Sequence, residues 1–380
     1  MKQTPILVLE YKHEDWLTAN TLYCLGCDKQ WEIHFITYRS KSAFRYLPFV
    51  KSYHHFDEET HEISFINFVE LVTEKTKAAV LVPTNSAAFQ FVIRHKEALQ
   101  SFIQVIPTPQ PWAYEIACDK GQLAHFMGNH QIATPLTIID LNNDLKKQLD
   151  GFPFPVLLKP RIGAGGKGVG GELPITVFAN KDELMACIQQ PGIIDKYIIQ
   201  SFVDGYIVGC NVLYKDGKLV AYTIQKGIVK AKSFAPSPGL EFIQNDAAIE
   251  VVDSLLSKLQ WNGVANIDLI YDVAKQQILI LEINARFWQT VGGSTVGAHV
   301  NFPSLACLQA LNRPIEPVSG QLGRYVPLIA YIKHKLAAKS GVKIDFQWKE
   351  IDMRYFFWLL PAKVYRFYRA RFQKKVPGLT

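Results

Sequence analysis

The chain has 380 residues, 48% of them hydrophobic and 20% charged, enough for two or three packed units and inconsistent with a disordered chain. Lys and Arg number 41 against 34 Asp and Glu, and much of the net charge of +7 lies near the C-terminus, so no nucleic-acid partner is implied and anionic small molecules fit as well. The 6 cysteines show no disulfide-rich spacing, which suits a reducing compartment, and the CxxC at Cys24 and Cys27 lacks the second pair of a zinc site and reads as buried structural thiols.

Met1–Pro5 lead straight into strand-like Ile6–Leu9 with no apolar leader and cleavage site, which predicts a cytoplasmic protein. From residue 6 to about 110, the apolar runs Ile6–Leu9, Ile33–Thr37, Ala78–Pro83 and Gln104–Pro107 alternate with helix-like segments such as Trp16–Leu25 and Ser86–His95. That alternation predicts an open parallel sheet. Glu10-Tyr11-Lys12-His13 follows the first run in place of a glycine-rich turn, which argues against a dinucleotide site there. The run His54–Glu62 has a metal-like composition but reads as a solvated loop or a helix start.

Pro111–Asn129 reads as one helix with Asp119-Lys120 inside it, stopped before Pro135, and Lys120 by itself reads as a surface lysine. Phe154–Pro160 is a strand carrying Lys159, and it opens into a run from Arg161 to Gly171 that contains Gly163, Gly165, Gly166, Lys167 and Gly168. Such a run leaves backbone N–H groups free to curl around phosphate oxygens, and Lys167 adds charge at its tip. Gly163, Gly165 and Gly168 match GxGxxG literally, but Pro174 and strand-like Ile175–Phe178 follow where a dinucleotide turn needs a helix. The segment also lacks a Gly-Lys-Ser/Thr ending, so it reads as a strand, a flap over phosphates and a return strand.

Tyr197–Gln200 is a further strand running into Ser201-Phe202-Val203-Asp204-Gly205. Ile207–Tyr214 and Leu219–Gln225 flank an Asp-Gly turn and predict a hairpin; Val264–Tyr271 and Gln277–Asn284 predict a second. Lys226 at the end of the first hairpin reads as an exposed lysine that could also reach a phosphate. Residues two apart on a strand share a face, so Glu282, Asn284 and Arg286 point one way, and the second hairpin can set Asp268 beside them. Two carboxylates and an amide oxygen suit magnesium, while a strand-end Glu–Arg pair with a solvated Asn is the alternative reading.

In this order, Asp119-Lys120, Leu158-Lys159-Pro160 with its glycine run, Gln200–Gly205, Asp268 and Glu282–Arg286 resemble the ATP-grasp superfamily, on its carbamoyl-phosphate-synthetase and biotin-carboxylase-like side. The resemblance covers about residues 1 to 320. It implies an α/β and α+β architecture: a parallel-sheet domain over 1–110, a two-lobed ATP-grasp domain over 111–320 with a glycine-flap subdomain at about 130–203, and a basic aromatic helical extension over 321–380. By that analogy Lys120 and Lys159 contact nucleotide phosphates, the flap Gly163–Gly171 closes over them, and backbone from Gln200 through Ser201 and Phe202 to Val203 holds adenine. Asp268, Glu282 and Asn284 carry magnesium, with manganese as an alternative, and Arg286 with Lys167 serves the phosphoryl step. The chain departs from the family at Gly209, where an acidic residue often holds ribose, and at Asp268, which is shorter than the usual Glu or Gln.

The expected activity is ATP-dependent activation of a small carboxylate as an acyl phosphate and its transfer to an amine, releasing ADP and phosphate. A non-catalytic nucleotide-binding or membrane-peripheral scaffold is the alternative, and a homodimer is left open. The segment from Trp348 to Lys375 mixes aromatics with Arg354, Lys363, Arg366, Arg369 and Arg371. Its apolar run is too short to span a bilayer. Aromatics that finish the core are the favoured reading, and peripheral contact with the inner face of a membrane is the other.

Overall fold

Three sheets organise the chain, whose computed structural model describes residues 2–12, 16–38, 41–56, 62–163, 174–190, 192–229, 236–337 and 345–373, with side chains left out at 366 and 368–373. The first sheet is parallel throughout, with Val50–His55, Trp31–Thr37, Thr4–Glu10, Val80–Pro83 and Gln104–Val105 side by side in that order. Its middle strand is buried on both faces: Ile6 and Val8 enter one core, Leu7 and Leu9 another. That is why it reads as an unbroken apolar run.

The sequence signal missed the edge strand Val50–His55 because Lys51, Ser52, His54 and His55 break its apolar character. His54 and His55 sit on that strand and Glu62 opens the helix Glu62–Thr76, whereas 57–61 lie outside the described residues. The last strand stops at Val105, short of Pro107, which has no N–H to give a ladder. Cys24 is buried in the helix Trp16–Gly26 with Cys27 just beyond it, and burial pushes both thiols up, as inert structural cysteines require.

The second sheet has eight strands. Gln277–Asn284, Gly263–Asp272, Gly205–Lys215, Lys218–Gly227, Leu240–Ile243, Gly323–Pro327 and Ile351–Asp352 follow one another, and Val318–Ser319 pairs with Lys218–Gly227. Both expected hairpins are present. Asp216 and Gly217 adopt φ of 50° and 75°, the twin left-handed positions that a tight two-residue hairpin needs. The third sheet, ordered Thr137–Ile138, Tyr197–Ser201, Val156–Pro160 and Thr176–Phe178, is antiparallel and has its own core around Ile138, Val156, Leu158, Leu184 and Ile199.

The first and second sheets, by contrast, share a core. Ile6, Val8 and Phe35 pack in one cluster with Leu213, Ala221 and Val264 and with Leu359 and Ala362 of the helix Met353–Gln373. The C-terminal helix therefore does finish the core along one face. No described helix is long and apolar enough to cross a membrane.

The segment expected as a single helix is two, Pro111–Cys118 and Lys120–Asn129. Asp119 stands between them at φ −105° and ψ 109°, and its carboxylate accepts from the N–H groups of Gly121 and Gln122. An aspartate that satisfies helix-start donors ends one helix by capping the next.

Candidate active site

The break at Asp119 aims Lys120. As the first residue of its helix, Lys120 turns inward, is buried, and donates from Nζ to the Gly163 carbonyl at 2.8 Å while lying 3.2 Å from Glu282 Oε2. This corrects the reading of Lys120 as a surface lysine, because the cap and the tertiary packing, not the local composition, decide its direction. Asp119 also grips Arg161 at 2.9 Å, and the Lys120 N–H donates to the Arg161 carbonyl at 2.9 Å. A helix whose Leu123 and Met127 pack on the second sheet is thereby clamped to the end of a strand of the third.

Lys159 rises from that same strand. It is 6% exposed, and its Nζ donates to Gln200 Oε1 at 2.9 Å, while Gln200 Nε2 donates to Thr137 Oγ1 at 3.1 Å. Burial pushes the Lys159 pKa down and Lys120 adds to the push, against the pull of Glu282 and Asp268. Gly163, at φ 89°, begins the glycine run; Gly165, Gly166, Lys167 and Gly168 lie outside the described residues. Further along the third sheet, Ser201 and Phe202 give their N–H groups to the carbonyls of Leu136 and Pro155. Phe202 is 45% exposed and Val203 is half-buried.

The acidic residues come from the second hairpin, where Asp268 stands directly across from Glu282 and Asn266 across from Asn284. A register shift just after Asp268 lets the ladder continue beyond the pair. Asn284 Nδ2 lies 3.4 Å from Asp268 Oδ2, and Arg286 donates to Asn284 Oδ1 at 3.1 Å and to Ser86 Oγ at 3.0 Å. Ser86 opens the helix Ser86–Arg94 beside the first sheet, so Arg286 ties that sheet to the cluster. Burial and the neighbouring Glu282 push the Asp268 carboxyl up; Glu282 is itself pushed up by burial but held below its usual range by Lys120 and Lys159.

Two carboxylates set side by side, one driven toward its protonated form, are a donor set that a divalent cation would relieve, and oxygen donors suit magnesium. Among the described residues no trio of His, Cys, Asp and Glu is grouped for a metal, so Asn284 would have to complete the set.

Sequence reading missed the polar row that continues this face across the sheet. Asn266 donates to Asn211 Oδ1 at 2.9 Å and accepts from Asn284, and Asn211 donates to Thr223 at 3.0 Å. The signal was available: Asn266 precedes Asp268 by two and so faces the same way. At Gly209 an added Cβ would come within 3.2 Å of Gln225 Cγ, so the Gln225 side chain occupies the space left by the missing one. Lys226 is committed elsewhere, 2.7 Å from Glu241.

The family described as the ATP-grasp domain matches residues 117–290, a span that starts just before Lys120 and ends just after Arg286. Residues 117–290, a little under half of the chain, thus resemble an ATP-grasp domain. Over 253 residues the chain is 22% identical to the D-aspartate ligase of Enterococcus faecium (strain Aus0004), covering 61% of this chain and 60% of that protein. The chain thus spans about three fifths of that relative's length.

Among solved structures, the biotin carboxylase domain of the Hydrogenobacter thermophilus 2-oxoglutarate carboxylase superposes with a TM-score of 0.61 at 13% identity, over 84% of this chain and 72% of that one. That domain was solved as a dimer with MgADP, ADP and bicarbonate. The L-amino acid ligase of Bacillus licheniformis gives 0.60 at 15% identity, over 83% and 76% of the two chains. These likenesses show the fold: a mixed α/β molecule with a parallel-sheet domain ahead of the ATP-grasp domain, as its sequence predicted.

Proposed function

We propose that this chain is an ATP-dependent ligase that activates a carboxylate as an acyl phosphate and joins it to an amine, releasing ADP and phosphate. The observation that carries this reading is the convergence of Lys120, Lys159, Asp268, Glu282, Asn284 and Arg286 where the second and third sheets face each other. Charge is balanced there only pairwise, by lysines against carboxylates, an arrangement suited to exchanging those partners for a metal ion and phosphate oxygens. Asp268, Glu282 and Asn284 would hold magnesium, or manganese in its place, which when bound neutralises phosphate charge and makes the γ-phosphoryl group electrophilic.

In this reading Lys159 and Lys120 hold phosphate oxygens from below, with Lys159 kept in line by Gln200. Adenine lies along the edge from Gln200 to Val203. Since the Ser201 and Phe202 N–H groups are bonded within the fold, its contacts fall to carbonyl groups and to the N–H of Val203. Arg286, fixed by Asn284 and Ser86, offers its guanidinium to the transferred group, a catalytic role shared in this reading with Lys167. The substrate carboxylate is itself the nucleophile, so no serine or cysteine nucleophile is needed. The three units assigned to it are 1–110, 111–320 and 321–380. A D-aspartate ligase and an L-amino acid ligase among the similar proteins favour an amino acid as acid or amine.

A screen of amino acids as acid, with ATP, magnesium and hydroxylamine, tests this. A hydroxamate with ADP as co-product is expected for the correct acid. AMP with pyrophosphate would mean adenylation and overturn the mechanism, and no nucleotide cleavage with any acid would favour a binding scaffold.

A further inference from the structure

The C-terminal helix has a second face that the core does not use. Leu359 and Ala362 are buried, and Tyr355 and Trp358 sit edge-on to Tyr23 at ring distances of 5.0 and 5.7 Å, which fixes the rotation of the helix. Away from that contact, Met353 is 46% exposed, Phe357 58%, Leu360 37% and Val364 44%. Their spacing of four, three and four residues lines them along one side of the helix. Single exposed apolar residues are ordinary on a soluble surface; an aligned row of four is not. The adjoining helix Leu328–Ala337 adds Ile332 and Leu336, 43% and 73% exposed.

Between these two helices lies a groove of about 490 Å³ lined in part by Val229, Pro327, Lys333, His334, Tyr355 and Lys363. Lys333 and Lys363 carry like charge into it, and none of the ion pairs among the described residues includes either. Burial, then Lys333, pushes the Lys363 ammonium toward losing its proton, as happens where a cation lacks an anion. His334 Nε2 is buried beside it without a hydrogen-bond partner. After residue 320 the sequence holds 13 Lys and Arg against 3 Asp and Glu, whereas the preceding part holds 28 against 31.

We propose that this face, the Met353–Val364 row with the Lys333/Lys363 groove beside it, docks on an anionic lipid surface, the apolar row entering the acyl boundary and the groove taking a phosphate headgroup. Charge decides the occupant. A two-fold contact between copies would set this basic segment against itself, while anionic lipid neutralises it. The 21-residue helix lies on the surface and does not span it.

The test is co-sedimentation of the full chain with phosphatidylcholine vesicles and with mixed phosphatidylcholine–phosphatidylglycerol vesicles over a salt series. Binding is expected only to the mixed vesicles and should fall as salt rises. Lys333→Ala should weaken it about fivefold, the effect of removing one basic charge near such a surface. Phe357→Glu with Val364→Glu should reduce it more than tenfold while leaving the melting temperature unchanged, because both side chains are exposed. Equal binding to neutral vesicles, no binding at low salt, or indifference to both variants would overturn the proposal. So would a dimer in solution that Phe357→Glu dissociates, since the face would then serve a second copy.

Discussion

Lys159 shows at the scale of one residue how a buried charge is made useful. Its amino group is withdrawn from water and directed by Gln200, and burial pushes its pKa down against the opposing pull of Glu282. Lys159→Ala should weaken ATP binding about 10- to 100-fold, the range of one or two charge-assisted hydrogen bonds, and calorimetry reads it directly. Unchanged affinity would put the phosphates elsewhere. Glu282→Gln should preserve the fold and abolish magnesium-dependent turnover; wild-type activity across a magnesium titration would remove Glu282 from the metal. Strand alternation alone put Glu282 and Asn284 on one face, whereas Arg286 lies past the end of that strand and is held beside Asn284 by its own hydrogen bond. Alternation could not show Lys120 reaching Glu282, because that contact is between residues 162 positions apart in the chain, and composition carries no trace of it.

At the level of elements, one capping residue separates a long helix from a site. Replacing Asp119 by alanine removes the cap, worth about 1 kcal/mol, and also frees Arg161. Turnover should therefore fall by a larger factor than that modest loss of stability explains, because Lys120 loses its direction; equal effects on both would mean that the cap is only structural. Glu62, at the start of the helix Glu62–Thr76, accepts from Arg94 at 2.9 Å, lies 2.7 Å from His95 and accepts from Tyr11. Burial raises its pKa, but His95 and Arg94 outweigh this and hold it below the usual glutamate value. A depressed carboxylate stabilises the fold above its unfolded pKa and loses that contribution as pH falls through the folded value. Glu62→Gln should thus cost about 0.5–1 kcal/mol near neutral pH, allowing for solvent screening, and nothing at a pH below the folded pKa; thermal melts across the acid range check it. Elements with strong apolar periodicity or an Asp-Gly turn were legible in advance. The polar edge strand Val50–His55 and the Asp119 break were not, since one lacks the periodic signal and the other is written in a single side chain.

Across the whole molecule, the distribution of cores sets what can move. The first and second sheets and the C-terminal helix share one cluster, so Leu359→Ala should cost about 2–5 kcal/mol and lower the melting of that unit. The third sheet keeps a separate core, and the polar bonds that join it to the rest include Asp119–Arg161, Lys120–Gly163, the Lys120 N–H to the Arg161 carbonyl and, in the segment leading into it, the Ile280 N–H to the Ala133 carbonyl and Thr134 Oγ1 to the Ile280 carbonyl. A lobe with its own apolar core, joined to the rest by polar bonds such as these, should open independently of the shared core. A nucleotide lying against Lys159 on one side and Glu282 on the other would bind both lobes at once, and ligand at a hundredfold excess over its dissociation constant stabilises by about 2.7 kcal/mol. Hydrogen exchange with a non-hydrolysable ATP analogue and magnesium should slow most in the third sheet, at Val156–Pro160 and Tyr197–Ser201, and little in Thr4–Glu10, whose protection already reflects global stability. Lys159→Ala should abolish that difference. Equal slowing in the two cores, or slowing confined to the first sheet, would show that the nucleotide does not bridge the lobes.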